Sequence, residues 1–557
     1  MNTSTSTNTN KSTSTITTTM MSMKLSINHL LERAGTIFSG NEVVSRLPDK
    51  SLVRHTYGQI YQRTRALAAA LQAAGLNKGD RVATLAWNHH AHLECYFGIP
   101  AAGGVMHTLN LRLSPVEIGA IANDAEDRFL VIDDVLLPLY EQFKHLHHFE
   151  RVIVFPFSGA SVPAGFDNYE TWLADSAEAG ARFVYVDHDE NDPVSMCYTS
   201  GTTGRAKGVV YSHRSTMLHT FVGMLPDHWG LKGTDVLMPV APMFHANAWG
   251  TPYGAMMVGA KFVFPGPHLH PDDLLDLMQL EPPTLALGVP TIWMTMIALY
   301  ERALTEQPGR WKLPVGMRSM VGGSAVPETL IRAFDKHGVW LVQGWGMTET
   351  SPLATVSYPR VELQNAGPDE RYRRAAMAGV LVPLVELRIR DDAGQDAPRD
   401  GVSVGEVQVR GPYITGRYHG AAQSDDKFTA DGWLRTGDVA AMDSLGYLRI
   451  TDRTKDLIKS GGEWISSVDL ENAIMAHPAV AEAAVIAIPD ERWAERPLAC
   501  VVFKPGHSAT PQDLAAHLMA HGFAKWQVPD RYEFIDAIPR TSTGKFWKLE
   551  LRRLFPR

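Results

Sequence analysis

The chain has 557 residues and a mass of 61.4 kDa, long enough for three or four core-forming units. Its 45% hydrophobic and 20% charged residues exclude a disordered, collagenous or coiled-coil molecule as a whole. A net charge of -8, with three cysteines (Cys95, Cys197, Cys500) in unrelated contexts, excludes general nucleic-acid binding, a disulfide framework and a structural zinc site, and suits a reducing, cytoplasmic setting.

Residues 1–23 are almost all Thr, Ser and Asn and read as a disordered leader, because they bury too little apolar area to offset ordering. They lack a secretory h-region and the arginines of a transit peptide. Met20, Met21 and Met23, just before the amphipathic pattern from Leu25, mark an alternative translation start.

From Arg81 to Phe155 strand-like runs (RVATLAW, VMHTLN, RFLVIDD, RVIVF) alternate with helical patterns, which predicts a mainly parallel sheet with covering helices. Ser114, Pro115 and Glu117 read as N-cap, first-turn proline and capping-box acid of one of those helices. His89, His90, His92 and Glu94 have spacings that could share a helix face. With no HExxH pattern among them, they read as a polar helix edge.

A second α/β series runs from Val194 to Gly346. Two charge-poor stretches, 236–260 and 282–300, are broken by Pro239, Pro242, Pro252 and Pro290 and are read as buried strand, turn and helix rather than membrane spans. From about Gly379 to Asp452 short alternating segments with Gly/Asp turns predict a small β subdomain. After Lys455 a compact α+β unit of normal domain size follows. The fold class is α/β: a large N-terminal domain, 24–454, holds two mixed α/β sheets and a small β-barrel subdomain, and a smaller α+β domain, 455–557, completes the chain.

The strongest local motif is YTSGTTGRAKGV, residues 198–209, after an apolar strand. Small residues at Thr199, Ser200, Gly201, Thr202, Thr203 and Gly204 let backbone N–H groups and hydroxyls close around phosphate oxygens, and Lys207 adds a point charge. The spacing is not that of a P-loop NTPase, since Gly208 follows the lysine.

The chain resembles the adenylate-forming (AMP-binding) superfamily, because this cradle is followed in family order by PMFHANAWGTPY, VGGSAVP, GWGMTETSP, DGWLRTGDVA, DRTKDLIKSGGEWIS and PRTSTGKFWK. One departure is Ala206, where the family usually has proline. The lost φ restraint is expected to loosen the cradle and change ATP affinity.

The resemblance implies ATP and Mg²⁺ as cofactors and CoA as co-substrate. The cradle would hold the β and γ phosphates; Thr348 would bond the α-phosphate, and Glu349, with Thr202, would hold the metal. Trp345, where many relatives have Tyr, would stack on adenine beside Gly322, Gly323 and Gly346. Asp438 and Arg453 would grip the ribose. Lys545 would bridge carboxylate and α-phosphate in the transition state, the kind of placed cation that stabilises developing charge.

The acyl channel would be lined by His245, Trp249 and Ser324. The C-terminal domain would be mobile and would rotate about Lys455, withdrawing Lys545 and presenting Gly461, Gly462, Glu463 and Trp464 to the CoA thiol arm. A free thiol needs no strong dedicated base, and none is evident.

The function implied is an ATP-dependent acyl-CoA synthetase. YSHRST, PMFHANAWGTPY and KSGGEWISSVDLENA lie nearest the medium- and long-chain fatty acyl branch. A CoA ligase for a short thioether or arylpropenoic acid, an enzyme loading a carrier protein, and an inactive nucleotide-binding regulator remain as alternatives. Expected partners are a small carboxylic acid, ATP and CoA, with no nucleic acid and no membrane span. A homodimer and peripheral membrane contact are left open.

Overall fold

The computed structural model describes residues 18–199, 206–391, 393–420, 426–460, 463–541 and 544–556. Most of the first 23 residues, the heart of the phosphate cradle (Ser200, Gly201, Thr202, Thr203, Gly204) and the Gly461-Gly462 pair lie outside the described residues.

The first series folds into a seven-stranded sheet: Asp167–Asn168, Arg151–Phe155, Asp127–Asp133, Arg81–Leu85, Val105–Thr108, Pro193–Tyr198 and Gly208–Ser212 in spatial order. All neighbours are parallel except the last pair. Helix Pro115–Ala125 starts where the sequence places it: the Ser114 hydroxyl accepts from Glu117 N at 3.3 Å, and Glu117 Oε2 accepts from Ser114 N at 3.0 Å. Losing such a cap typically costs about 1 kcal/mol.

The second series builds a nine-stranded sheet whose central strands, from Trp340–Gly346 through Arg318–Gly322, Leu285–Gly288, Val236–Pro239 and Lys261–Phe264 to Glu42–Arg46, are parallel. Its edges are antiparallel. One of them, the hairpin Glu42–Arg46 with Leu52–Thr56, comes from the N-terminal region and was not legible as a strand pair in the sequence.

Helix His90–Ala101, buried along its whole length, includes three of the four polar residues expected at a helix edge. That expectation is corrected: His89, His90, His92 and Glu94 are all buried. Each has a partner that offsets its loss of water: His89 with Asp133 at 2.8 Å, His90 with Ser45, His92 with Thr84, and Glu94 with Arg63 and Tyr169. Burial pushes His90 and His92 well down, His92 to about 3, so both are neutral at physiological pH. Among the described residues no cluster of three or more His, Cys, Asp or Glu could hold a metal ion.

The β subdomain is a four-stranded antiparallel sheet, Glu386–Arg390, Gly405–Arg410, Leu434–Met442 and Leu448–Arg453. Its hydrogen-bonded path is open, so the expected barrel is, among the described residues, an antiparallel sheet that does not close. Beyond a turn carrying Lys455, a five-stranded sheet pairs Val480–Asp490 with Ala494–Phe503 over ten positions and packs helices Ser467–Met475 and Pro511–Ala520 against it. Among the described residues no helix is long and apolar enough to cross a membrane.

Candidate functional site

One cavity of about 670 Å³ lies where the nine-stranded sheet, the β subdomain and the loop carrying Lys545 meet. It is lined by Thr199, Lys207, His245, Trp249, Gly322, Gly323, Trp345, Gly346, Thr348, Glu349, Thr436, Arg453 and Lys545, residues drawn from the cradle and from each of the six motifs that follow it. Parallel sheets characteristically open their sites at the carboxyl ends of strands, and Gly322 and Gly346 close two adjacent ones.

Strand Trp340–Gly346 changes register against its antiparallel neighbour between Trp345 and Gly346. Such a bulge re-aims a side chain, and here Trp345 is on the cavity wall. A Cβ on Gly346 would lie 1.7 Å from the Pro352 carbonyl oxygen, so this position requires glycine to admit the chain's own backbone. Gly323, with φ of 89°, requires it for the left-handed conformation, and a Cβ there would rest 3.6 Å from Lys545 Cε.

Thr348 and Glu349 form a short 3-10 turn held by backbone: Tyr211 Oη donates to the Thr348 carbonyl at 2.7 Å, and Thr415 N to that of Glu349 at 2.8 Å. Glu349 is buried, and its Oε1 accepts from Tyr418 Oη at 2.7 Å. The Lys207 ammonium sits 4.5 Å from the centroid of that same Tyr418 ring. Tyr418 thus joins Lys207 and Glu349 on the cavity wall. It was missed in the sequence because a tyrosine in a Gly-rich turn carries no pattern that distinguishes it from a packing residue.

Asp438 and Arg453 are directly opposite each other on adjacent antiparallel strands, and Arg453 Nε reaches Asp438 Oδ1 at 3.0 Å. Asp438 is buried beside Thr436 and Arg453, which line the cavity, and its Oδ2 accepts from Trp345 Nε1 at 3.0 Å.

Lys545 comes from the small C-terminal unit, at the end of a turn in which Thr541 N donates to the Lys545 carbonyl at 2.8 Å and Arg540 Nη1 to that of Gly544 at 3.0 Å. Burial pushes its ammonium down to about 8; nearby Arg453 pushes the same way, while Asp438 and Glu349 oppose. A site that needs this cation loses it as pH rises through 8. In the adenylate-forming reaction that the resemblance implies, kcat/KM, which reports the free enzyme, is therefore expected to fall above about pH 8. Bound polyphosphate favours the cation, so the corresponding limb in kcat belongs at higher pH. Acid-dependent ATP–pyrophosphate exchange between pH 6 and 10 checks this, and a flat profile through pH 9.5 would count against it.

The expected acyl-channel segment is unusual in conformation. Ala246, Asn247, Ala248 and Trp249 all have φ between 43° and 58°, a left-handed turn of four non-glycine residues ended by Gly250 at 77°. Each such residue costs roughly 1–2 kcal/mol. Asn247 anchors the turn, with Nδ2 donating to Ser195 Oγ at 2.9 Å and Oδ1 accepting from Cys197 Sγ at 3.2 Å. Trp249 and His245 line the cavity, and His245 is neutral because burial, Lys545 and Arg112 push it down to about 3. Ser324, expected beside them, is exposed and does not line the cavity.

Glu463 and Trp464 also lie outside the cavity. They sit on a hairpin pairing Ile458–Ser460 with Glu463–Ile465, where Lys459 covers the Trp464 ring at 4.3 Å. Lys455 occupies the turn between the last strand of the β subdomain and this hairpin.

Comparison with known proteins agrees with this arrangement. Residues 32–419 match the family model "AMP-binding enzyme", and residues 469–545 match "AMP-binding enzyme C-terminal domain". The chain is 47% identical over 533 residues to a long-chain-fatty-acid–CoA ligase of Thermus thermophilus, covering 96% of each chain. It is 42% identical to a 3-methylmercaptopropionyl-CoA ligase of Ruegeria lacuscaerulensis, covering 95% of this chain and 97% of that one. Among solved structures, ATP-bound MatB from Rhodopseudomonas palustris superposes with a TM-score of 0.78 at 25% identity, over 96% of this chain and 99% of that one. The chain belongs to the AMP-binding enzyme family, carries matches to both of its domain models, and is an acid–thiol ligase of the acyl-CoA synthetase kind.

Proposed function

We propose that the protein activates medium- to long-chain fatty acids for transfer to CoA. In the first half-reaction a carboxylate oxygen attacks the α-phosphorus of ATP, the bond from that phosphorus to the bridging oxygen breaks, and pyrophosphate leaves. In the second, the CoA sulfur attacks the acyl carbonyl, its proton goes to solvent, and AMP leaves. The observation that carries this reading is the convergence of Lys545, Lys207, Arg453 and Glu349 on one cavity, since two anions react only where charge is neutralised locally.

Each residue has a task in this reading. Trp345 covers the base, Asp438 and Arg453 hold the ribose, Thr348 and Lys207 hold phosphate oxygens with Thr199 at the mouth of the cradle, and Lys545 meets the reacting carboxylate and α-phosphate. The donor set suits Mg²⁺, which is commonly held by one or two carboxylates plus substrate phosphates: Glu349 is a buried carboxylate oriented by Tyr418 beside Lys207. Bound there, Mg²⁺ would neutralise phosphate charge. His245 and Trp249 border the acyl end.

Lys545 faces the cavity while Glu463 and Trp464, on the same C-terminal unit, do not. That division supports rotation about the turn at Lys455 between the half-reactions, with 24–454 and 455–557 as the two bodies. The three cysteines are free and buried, in keeping with a reducing, cytoplasmic location. A short thioether acid is the second reading of the substrate, favoured by the likeness to the 3-methylmercaptopropionyl-CoA ligase.

AMP release measured with straight-chain acids from C2 to C18 and with 3-methylthiopropionate, each with and without CoA, tests the proposal. CoA-dependent turnover with kcat/KM rising toward C8–C18 is expected. A maximum at the thioether acid would replace the substrate, and turnover indifferent to CoA would remove the ligase reading.

A further inference from the structure

The contact between Trp345 and Asp438 gives the tryptophan a second task beyond covering a base. Asp438 is 3% exposed, and its two oxygens are claimed by different donors: Oδ2 by the indole N–H of Trp345 at 3.0 Å and Oδ1 by Nε of Arg453 at 3.0 Å. The two donors come from different sheets. Trp345 is delivered by the bulged end of a strand in the nine-stranded sheet, and Arg453 by the strand antiparallel to that of Asp438 in the β subdomain. The carboxyl plane is therefore fixed by a fork with one arm from the nine-stranded sheet and one from the β subdomain. A carboxylate offers about four acceptor positions, so these bonds leave capacity on both oxygens for two further donors at a set spacing.

We propose that Trp345 is a positioning residue for nucleotide-sugar recognition: its indole N–H, together with Arg453, holds Asp438 in the rotamer that accepts both ribose hydroxyls of ATP. Selection of ribose over deoxyribose in this chain then depends on a ring whose expected role was to stack on adenine. A phenylalanine can supply the stacking face but has no N–H for the carboxylate. The inference rests on the adenylating reading of the cavity, and it separates two properties of one side chain that a single loss of activity would confound.

The test is acid-dependent ATP–pyrophosphate exchange by the full chain, without CoA, comparing kcat/KM for ATP and 2′-deoxyATP in wild type and Trp345→Phe. Wild type is expected to prefer ATP. In Trp345→Phe the ATP/2′-deoxyATP ratio is expected to fall about tenfold, the size of one hydrogen bond to a charged group, because ATP loses the contacts of both ribose hydroxyls with Asp438 while 2′-deoxyATP has only its 3′ contact to lose. Trp345→Leu, which removes the stacking face as well, is expected to lower both nucleotides further at the same collapsed ratio.

An unchanged ratio in Trp345→Phe, whether both values fall together or neither moves, overturns the inference while leaving the ligase reading intact. Wild type that shows no acid-dependent exchange overturns the ligase reading and this inference with it. Thermal unfolding of both variants within a few degrees of wild type ties the ratio to the site rather than to the fold.

Discussion

Lys545→Ala is expected to lower acid-dependent ATP–pyrophosphate exchange by about 10²- to 10³-fold, the range for removing one preorganised group that stabilises transition-state charge. Among the described residues the lysine is the one cavity residue supplied by the C-terminal unit, so its removal leaves the other described lining residues in place. Its Cε lies where a Cβ on Gly323 would touch it at 3.6 Å, and truncation opens that space while the buried carboxylates that act on its charge keep their own donors, Trp345 and Arg453 on Asp438 and Tyr418 on Glu349. The ATP KM is therefore expected to move much less than kcat. Conversion of chemically prepared acyl-adenylate and CoA to acyl-CoA should remain near the wild-type rate, because the second half-reaction needs no cation at the α-phosphate. Both half-reactions falling together would mean that the residue supports the fold of the C-terminal unit rather than the chemistry of the first step.

Glu349→Gln is expected to lower adenylate formation by at least about 100-fold and to raise the Mg²⁺ concentration needed for half-maximal rate, since several kcal/mol of charge neutralisation ride on one carboxylate and each 1.36 kcal/mol is a factor of ten. Glutamine preserves the volume and an acceptor for Tyr418, so the hydroxyl at 2.7 Å is not left unpaired and the turn is not disturbed. Titrating Mg²⁺ at fixed ATP in wild type and variant distinguishes the outcomes. A rate loss with an unchanged Mg²⁺ midpoint would assign Glu349 to holding the Thr348 turn and take it out of the metal site. Ala206→Pro, which restores the usual proline, is expected to change the ATP KM measured at saturating Mg²⁺ and to leave the Mg²⁺ midpoint where it is in wild type.

How far the sequence led is best seen residue by residue. The strands ending in Gly322 and Gly346 were readable as apolar runs bounded by glycine, and the capping box at Ser114 was readable within four consecutive positions, Ser114 to Glu117. Both depend on interactions within a few positions of the chain. The histidines before Glu94 were misread as a solvated edge because amphipathic spacing reports which residues share a face, not whether that face meets water or a buried polar network. Tyr418 carried no signal at all, since its importance lies in touching Lys207 and Glu349, which are distant in sequence.

What the sequence by itself determined was the family, the alternation of strands and helices and the set of charged residues available for chemistry. These are written locally, in periodicity, turn residues and contiguous motifs. Only the tertiary structure decided which of them meet: that Lys545 enters the cavity while Glu463 and Trp464 stay outside it, that Ser324 faces solvent, and that Trp345 and Arg453 share one carboxylate. The physical reason is that ion pairs and hydrogen bonds act over a few ångströms of space. Strand register and the docking of separate sheets, neither of which leaves a local mark in the chain, set those distances.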